Sequence, residues 1–524
     1  MTTQDYDAIV IGSGIGGLTT AALLARLRGM RVLVLESHFK LGGFTHTFQR
    51  KGFHWDVGIH YIGGLHEGGR LRGIFDLVTG DTMKWQQMPH VIEVFHYPEL
   101  TISVPSDPRE YAAELASHFP AEADAISAYL TDVRAVSAWY GQEAYSWSAP
   151  AAIRMGLRLA GRRMWRLGTL TTAEYLAQRF TDPRLRAVLA SQWGDYGLGP
   201  KESSFAIHSL VVAHYLKGAF YPVGSSKTIA DGAVRVIEAA GGDCRVNHRV
   251  QQVLIEGGRA VGVRVAVKKG REPAVVDFRA PLVISDAGAL TTARDLLPDG
   301  AAPRLTAATR AAGPSIASVV LYLGLKDSPE SLGFHGENHW YFTGFDHDAM
   351  KAGSAQVLAG RPLGAYLSFP SLKDPAATRH TAEIITFADY AAFEPWAGSR
   401  WMRRGEEYAA LKARIGDGLL QLVEEHHPGL SDLVEYREVS TPLTTEELTG
   451  HPGGQIYGMP ATPERIRNRW VPVRTEIPGL LLTGADVCSP GVAGALMGGA
   501  FAAGVVMGAK GLPEIFSAAR STAR

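Results

Sequence analysis

Polarity along the chain first breaks into blocks near the N-terminal end. Ala8-Ile9-Val10-Ile11 has no polar interruption and predicts a strand buried on both faces. Gly12-Ser13-Gly14-Ile15-Gly16-Gly17 follows without a gap, and the mostly apolar stretch Leu18 to Leu27 predicts a helix. Arg31-Val32-Leu33-Val34-Leu35 predicts the next strand, closed by Glu36 nineteen residues after Gly17. Similar blocks return later. Tyr221-Pro222-Val223-Gly224-Ser225-Ser226 opens a helix from Lys227 to Ala240, which Gly241-Gly242 ends. Cys244 to Val246, Val250 to Ile255 and Ala260 to Val267 predict strands, with a Glu256-Gly257-Gly258 turn between the last two. Pro281 to Gly288 and Gly479 to Asp486 predict two more buried strands that end in small and acidic residues, and a helix follows the second. Gly491 to Ala509 is uncharged and long enough to imitate a membrane span. Its six glycines and its place just after a strand-end motif predict a tightly packed helix instead.

The first block carries chemistry. Gly12 permits a tight turn, Gly14 lets the backbone approach a pyrophosphate, and Gly17 lets the helix pack close to the strand. The helix N-terminus then faces the phosphates, with Ser13 and Gly16 in the same turn. Glu36, with Ser37 beside it, is placed to accept hydrogen bonds from a ribose hydroxyl, which favours FAD or NAD over NADP. Ligands bind at strand C-termini in open α/β sheets, so Asp286, Gly484 and Asp486 are expected to border the same ligand. The predicted fold class is α/β: a discontinuous Rossmann-like FAD-binding domain of residues 1–75, 215–292 and 468–524, with a second α+β substrate-binding domain of residues 76–214 and 293–467. Trp340-Tyr341-Phe342 and Tyr366-Leu367-Ser368-Phe369 predict strands in the second domain.

Composition narrows the function. The 524 residues exceed a single core. Lys+Arg and Asp+Glu number 52 each, so charge gives no reason to expect nucleic acid. Two cysteines, Cys244 and Cys488, exclude a disulfide framework and fit a reducing compartment. Met1 to Tyr6 has no basic residue and no signal peptide pattern, so the expected location is cytoplasmic, with peripheral contact at the inner membrane face left open. No metal-ligand spacing, nucleophile elbow or Walker loop is visible, and no metal is expected.

Several strings together resemble the FAD-dependent phytoene desaturase / carotenoid isomerase superfamily, and within it the retinol saturase branch. They are Gly12 to Gly17, Lys40-Leu41-Gly42-Gly43-Phe44-Thr45-His46-Thr47-Phe48, Asp56-Val57-Gly58-Ile59-His60-Tyr61-Ile62-Gly63, Ser368-Phe369-Pro370-Ser371-Leu372-Lys373-Asp374-Pro375 and Leu482-Thr483-Gly484-Ala485-Asp486-Val487. The resemblance implies one bound FAD. Gly42, Gly43 and Phe44 would border the phosphates or isoalloxazine, and Val250 would offer backbone contacts to adenine. Asp486 would face the ribityl chain or phosphate, and Val492-Ala493-Gly494-Ala495 would approach the flavin pyrimidine edge. The activity it implies is saturation of one carbon–carbon double bond of an apolar polyene such as a retinoid or carotenoid. The alternatives are carotenoid cis–trans isomerisation or phytoene-type desaturation, then an amine oxidase or a non-catalytic flavin- and lipid-binding protein.

His60 and Tyr61, between glycines just after the flavin-binding strings, are the candidate proton donors; the bland alternative is a packed pair bonded to backbone. His46 has less support, and Cys488 reads as a small buried hydrophobe. Ala151 to Leu167 reads as a basic amphipathic helix: Arg154, Arg158, Arg162 and Arg166 fall at i+4 spacing, with Arg163 beside them. Such a face suits either a membrane surface or a solvated helix on the second domain. The electron donor and oligomeric state are not legible, and only one dinucleotide turn is convincing.

Overall fold

The computed structural model describes residues 6–146, 151–269, 272–468 and 471–522. Five short strands form a wholly parallel sheet in the order Asp243–Arg245, Val32–Leu35, Ala8–Ile11, Val283–Ser285, Leu480–Leu482. Both faces are covered, which explains why these strands read as unbroken apolar runs. Ala8 and Val10 point to the side packed by helices Ile15–Arg28, Lys227–Ala239 and Gly491–Met507. Ile9 and Ile11 point to the other side, where His248–Glu256, Arg259–Lys269 and Glu272–Arg279 form an antiparallel layer. Gly257 and Gly258, both at positive φ (56° and 75°), make the two-residue turn between the first two of these.

The uncharged run from Gly491 is a helix, Gly491–Met507, packed along Ile15–Arg28. Its glycines are needed for closeness. A Cβ at Gly499 would stand 2.6 Å from the Gly16 carbonyl oxygen, and one at Gly498 would collide with the Gly484 carbonyl. Among the described residues no helix is long and apolar enough to cross a membrane.

A second sheet has seven strands in the order Val434–Ser440, Ser318–Leu325, His380–Phe387, Gly364–Ser368, Asn338–Phe342, Val91–Tyr97, Leu100–Pro105. All neighbours are antiparallel except Asn338–Phe342 against Val91–Tyr97. One face carries Phe95, Trp340 and Tyr366 against helices Ala123–Ser146 and Phe205–Tyr215; the other carries Leu321, Tyr341 and Leu367 against helix Glu406–Glu424.

The expected single helix over 151–167 is broken. Ala151–Ala160 and Arg162–Gly168 are separate helices, with Gly161 pressed against Trp139; a Cβ there would lie 2.7 Å from the indole. The side chains of Arg154 and Arg158 lie outside the described residues. Arg163 reaches Asp132 at 3.2 Å, and Met155 and Leu159 are exposed.

Candidate active site

Three segments converge at the C-terminal ends of the parallel strands. Gly12 turns the chain with φ 93°. A Cβ at Gly14 would lie 2.5 Å from Asp286 Oδ2, one at Gly16 would strike Gly484, and one at Gly17 would lie 2.6 Å from the Gly12 carbonyl oxygen. A Cβ at Gly43 would lie 2.9 Å from Gly14 Cα, so the glycine pair closes over the first turn. The glycine turn, Gly42-Gly43, Asp286 and Gly484 are therefore brought together, with Gly12, Gly14, Gly43 and Asp286 left partly open to the cleft.

Ser13 is the hub of this assembly. Its backbone N–H (2.9 Å) and hydroxyl (2.6 Å) both donate to Glu36 Oε2, and the hydroxyl accepts from the Gly42 N–H at 3.0 Å. Glu36 Oε1 accepts from the His38 N–H (2.8 Å) and the Ser37 hydroxyl (3.2 Å). The acid is thus fixed in place at the end of its strand. Helix Ile15–Arg28 begins at Gly14 and helix Gly491–Met507 at Pro490, neither with a side-chain cap. Two helix N-termini without a capping side chain fit an anionic dinucleotide. Val492 and Ala493 sit in the first turn of the second, partly exposed.

Two further expected ligand residues have protein partners of their own. The Asp486 carboxylate accepts from the Ala289 and Met459 N–H groups, both at 2.7 Å, and so ties two loops together. Val250 is packed in the antiparallel layer beneath the sheet; the contact to Glu36 comes from its neighbour, where the His248 N–H donates to the Glu36 carbonyl at 2.8 Å.

Asp286 is the unusual member. Burial pushes its carboxyl up to about 8 against the pull of the Gly17 N–H, and the Glu36 and Asp486 charges add to the rise. At neutral pH it is a neutral acid, able to donate to a phosphate instead of repelling it. The folded state holds a proton that the unfolded chain releases near 3.8, so this stabilisation is complete at low pH and is lost as pH rises through about 8. We expect the wild-type unfolding midpoint to fall as pH rises from about 4 to about 8 and to level off above that, and Asp286→Asn to flatten the fall. Parallel pH curves for the two proteins would place the loss elsewhere.

His60 and Tyr61 face separate networks. His60 Nδ1 lies 3.0 Å from Glu383 Oε2. The imidazole side chain is 18% exposed and the Glu383 side chain 0%. Burial holds His60 down at about 3, with the Lys373 charge adding, and raises Glu383 well above the carboxylate range. The two groups are close but not hydrogen-bonded: His60 Nδ1 and both Glu383 carboxyl oxygens are buried without a hydrogen-bond partner. Lys373, held at about 7 chiefly by burial, donates to the His60 carbonyl (3.0 Å), Ser368 Oγ (2.7 Å) and Asn338 Oδ1.

Tyr61 stacks on Tyr215 at 4.3 Å, and its hydroxyl lies 2.5 Å from Glu93 Oε1 and 2.7 Å from Asp195 Oδ2. One hydroxyl proton cannot serve both carboxylates, so one of them is protonated. Glu93 also accepts from Trp340 Nε1 (2.9 Å) and Gln192 Nε2 (2.6 Å), which favours its charged form and leaves the proton on Asp195. Sequence reasoning missed Glu93, Asp195 and Glu383, because lone acids in strands and turns carry no spacing signal. Lys373 stood in a quoted string without a role. His46 Nδ1 is spent on the Gly43 carbonyl at 2.5 Å, and Cys488 is buried, its carbonyl taken by the Tyr140 hydroxyl at 2.9 Å.

The loop of His60 touches the dinucleotide cleft: a Cβ at Gly58 would lie 3.1 Å from Phe44 Cβ. Phe44 also lines a cavity of about 910 Å³ between residues 38–57 and 401–449. Its walls include Phe48, Tyr322, Trp401 and Leu448.

Fold and site together define a dinucleotide-binding oxidoreductase. A family model described as an NAD(P)-binding Rossmann-like domain matches residues 10–77. The all-trans-retinol 13,14-reductase of Danio rerio is 34% identical over 541 residues, covering 99% of this chain and 88% of that protein. The chain belongs to the all-trans-retinol 13,14-reductase family. The chloroplastic prolycopene isomerase of Arabidopsis thaliana is 28% identical over 507 residues, covering 93% of this chain and 80% of the plant protein. The solved structure of cyclohexylamine oxidase from Brevibacterium oxydans IH-35A shares the fold, with a TM-score of 0.60 at 16% identity over 98% of this chain and 99% of that one.

Proposed function

We propose that the protein binds FAD and saturates one carbon–carbon double bond of an apolar polyene, of the retinoid or carotenoid class. The observation that carries this reading is the placement of His60. It sits in a loop packed on the dinucleotide cleft, partly exposed, with a buried protonated carboxyl behind it. The groups named below would hold FAD, whose chemistry when bound and reduced would be hydride donation to an alkene carbon. The chain supplies the rest: His60 gives the matching proton from Nε2, and Glu383, whose carboxyl lies 3.0 Å from Nδ1, returns one to the ring once the two side chains turn into hydrogen-bonding alignment. Tyr61, with Glu93 and Asp195, holds a second proton in the same buried region.

Gly12, Ser13, Gly14, Gly16 and Gly17 would hold the pyrophosphate side, with Glu36 at the ribose, Gly42 and Gly43 over the phosphates, and Val492 and Ala493 at the flavin's pyrimidine edge. The cavity that Phe44 lines combines aromatic walls (Phe48, Tyr322, Trp401) with charged ones (Lys40, Arg50, Arg403, Arg404), which suits an apolar chain carrying a polar end. Exposed Met155 and Leu159, beside Arg162 and Arg166, offer a place for such a substrate to enter from a lipid surface.

The direct test is to reduce the flavin-loaded protein without oxygen, add all-trans-retinol and record the spectrum. Return of the oxidised flavin bands with a blue-shifted polyene band is expected. Unchanged flavin and polyene bands would reject retinol as substrate. The relationship to prolycopene isomerase favours one second reading, cis–trans isomerisation, in which the product keeps the mass of the substrate.

A further inference from the structure

The sequence has no metal-ligand spacing, but the second sheet gathers ligands that are distant along the chain. His96 lies on strand Val91–Tyr97 and His339 on the adjacent parallel strand Asn338–Phe342, where Tyr341 pairs with His96. His427 follows just beyond helix Glu406–Glu424. One ring nitrogen from each of the three lies within 4.8 Å of the others.

The surroundings are arranged as they are around metal-bound histidines. His96 Nε2 and His339 Nδ1 are 3.0 Å apart. On the other side of the His339 ring, Nε2 lies 3.2 Å from Glu337 Oε1, and the Glu337 carboxylate is itself fixed by the His335 N–H at 2.9 Å. A carboxylate behind a ligating imidazole sets the ring orientation and raises its basicity. The Tyr341 ring stacks on His96 at 4.8 Å and holds it flat. His427 Nε2 is buried and has no hydrogen-bond partner, an unpaid polar atom inside the cluster. His426 stands alongside, its Nδ1 donating to the Leu422 carbonyl at 3.0 Å.

We infer that His96, His339 and His427 bind a divalent transition cation of the zinc class. Imidazole ligands suit Zn²⁺, Cu²⁺ and Ni²⁺ over Mg²⁺ or Ca²⁺. Ligand nitrogens around a tetrahedral zinc, at about 2.0–2.1 Å from the metal, stand about 3.3 Å apart, so ring rotations of roughly an ångström close the site. Three protein ligands leave a fourth position for water. All three side chains lie on the Tyr341 face of the sheet, opposite the Glu93 and Trp340 face that meets Tyr61. The cation therefore acts as a clip across two strands and a helix end, apart from the reacting groups.

Flavin-loaded protein stripped with a chelator and dialysed would be titrated with Zn²⁺ by calorimetry and with Co²⁺ by visible absorbance. The expected result is one Zn²⁺ per chain at micromolar or tighter dissociation constant, on the order set by three-histidine sites, with tetrahedral Co²⁺ bands and a raised unfolding midpoint. His427→Gln, beyond the helix end, removes all three signals; His118→Gln on the surface changes none. Absence of saturable binding below 100-fold that concentration overturns the inference. So does binding that persists unchanged in both His96→Gln and His427→Gln, since the metal would then sit on other histidines.

Discussion

Gly16→Ala yields a protein without bound flavin. The new methyl group would strike the Gly484 backbone and lie 2.6 Å from Asp286 Oδ1. Backbone cannot swing away as a side-chain tip can, so the first glycine turn and the Gly484 turn must separate. Both border the cleft, and α-helix Ile15–Arg28 moves with the first, carrying its N-terminal donors off the phosphates. We expect flavin affinity to drop by at least 100-fold, about 2.7 kcal/mol, read from the ratio of flavin to protein absorbance after gel filtration. Gly29→Ala, where nothing lies within 4 Å, is the matched control at a helix end: its φ of 64° costs a little stability and leaves the flavin in place. A Gly16→Ala protein that keeps its full flavin content would show that the two turns do not frame the cofactor.

His60→Gln retains flavin and loses turnover, by about 10²-fold or more, the usual weight of a positioned proton donor. Its neighbours separate delivery from supply. Glu383→Gln keeps a hydrogen-bond donor beside His60 Nδ1 but cannot release a proton, so kcat falls while KM holds. Glu383→Ala falls further and leaves a cavity in the sheet. Tyr61→Phe disconnects Asp195 from Glu93 and leaves the ring stacked on Tyr215. It is expected to shift the pH profile more than to abolish the reaction. If His60→Gln turns over normally and Tyr61→Phe does not, the proton comes from the other network.

The parallel sheet was legible because its strands are buried on both faces, which leaves continuous apolar runs at Ala8–Ile11, Val32–Leu35 and Leu480–Leu482. The glycine turn was legible because steric need fixes residue type there. The proton array was not. Glu93 and Glu383 occupy inward positions on strands, where pattern alone predicts apolar residues, and their partners come from far along the chain: Glu93 meets Gln192 and Trp340, and Glu383 meets His60. Asp486 shows the opposite limit. Its position after a strand suggested a ligand contact, but two orphaned loop amides claim its carboxylate. The break at Gly161 was hidden because glycine keeps helical spacing intact on paper, while the Trp139 ring decides the geometry.

The order of strands in the parallel sheet sets a timetable for biosynthesis. Ala8–Ile11 waits for Val283–Ser285, and that strand waits for Leu480–Leu482. The Gly16 carbonyl is covered only when Gly499 arrives. The first nucleotide-binding turn to leave the ribosome is therefore the last to be completed. Pairings this distant pay a large loop-closure cost before any contact rewards them. Ala8–Ile11 finds Val32–Leu35 early, but its other edge stays open until Val283–Ser285 is made, so chaperone supply and free flavin at chain release, more than codon-by-codon folding, will govern the yield of active enzyme.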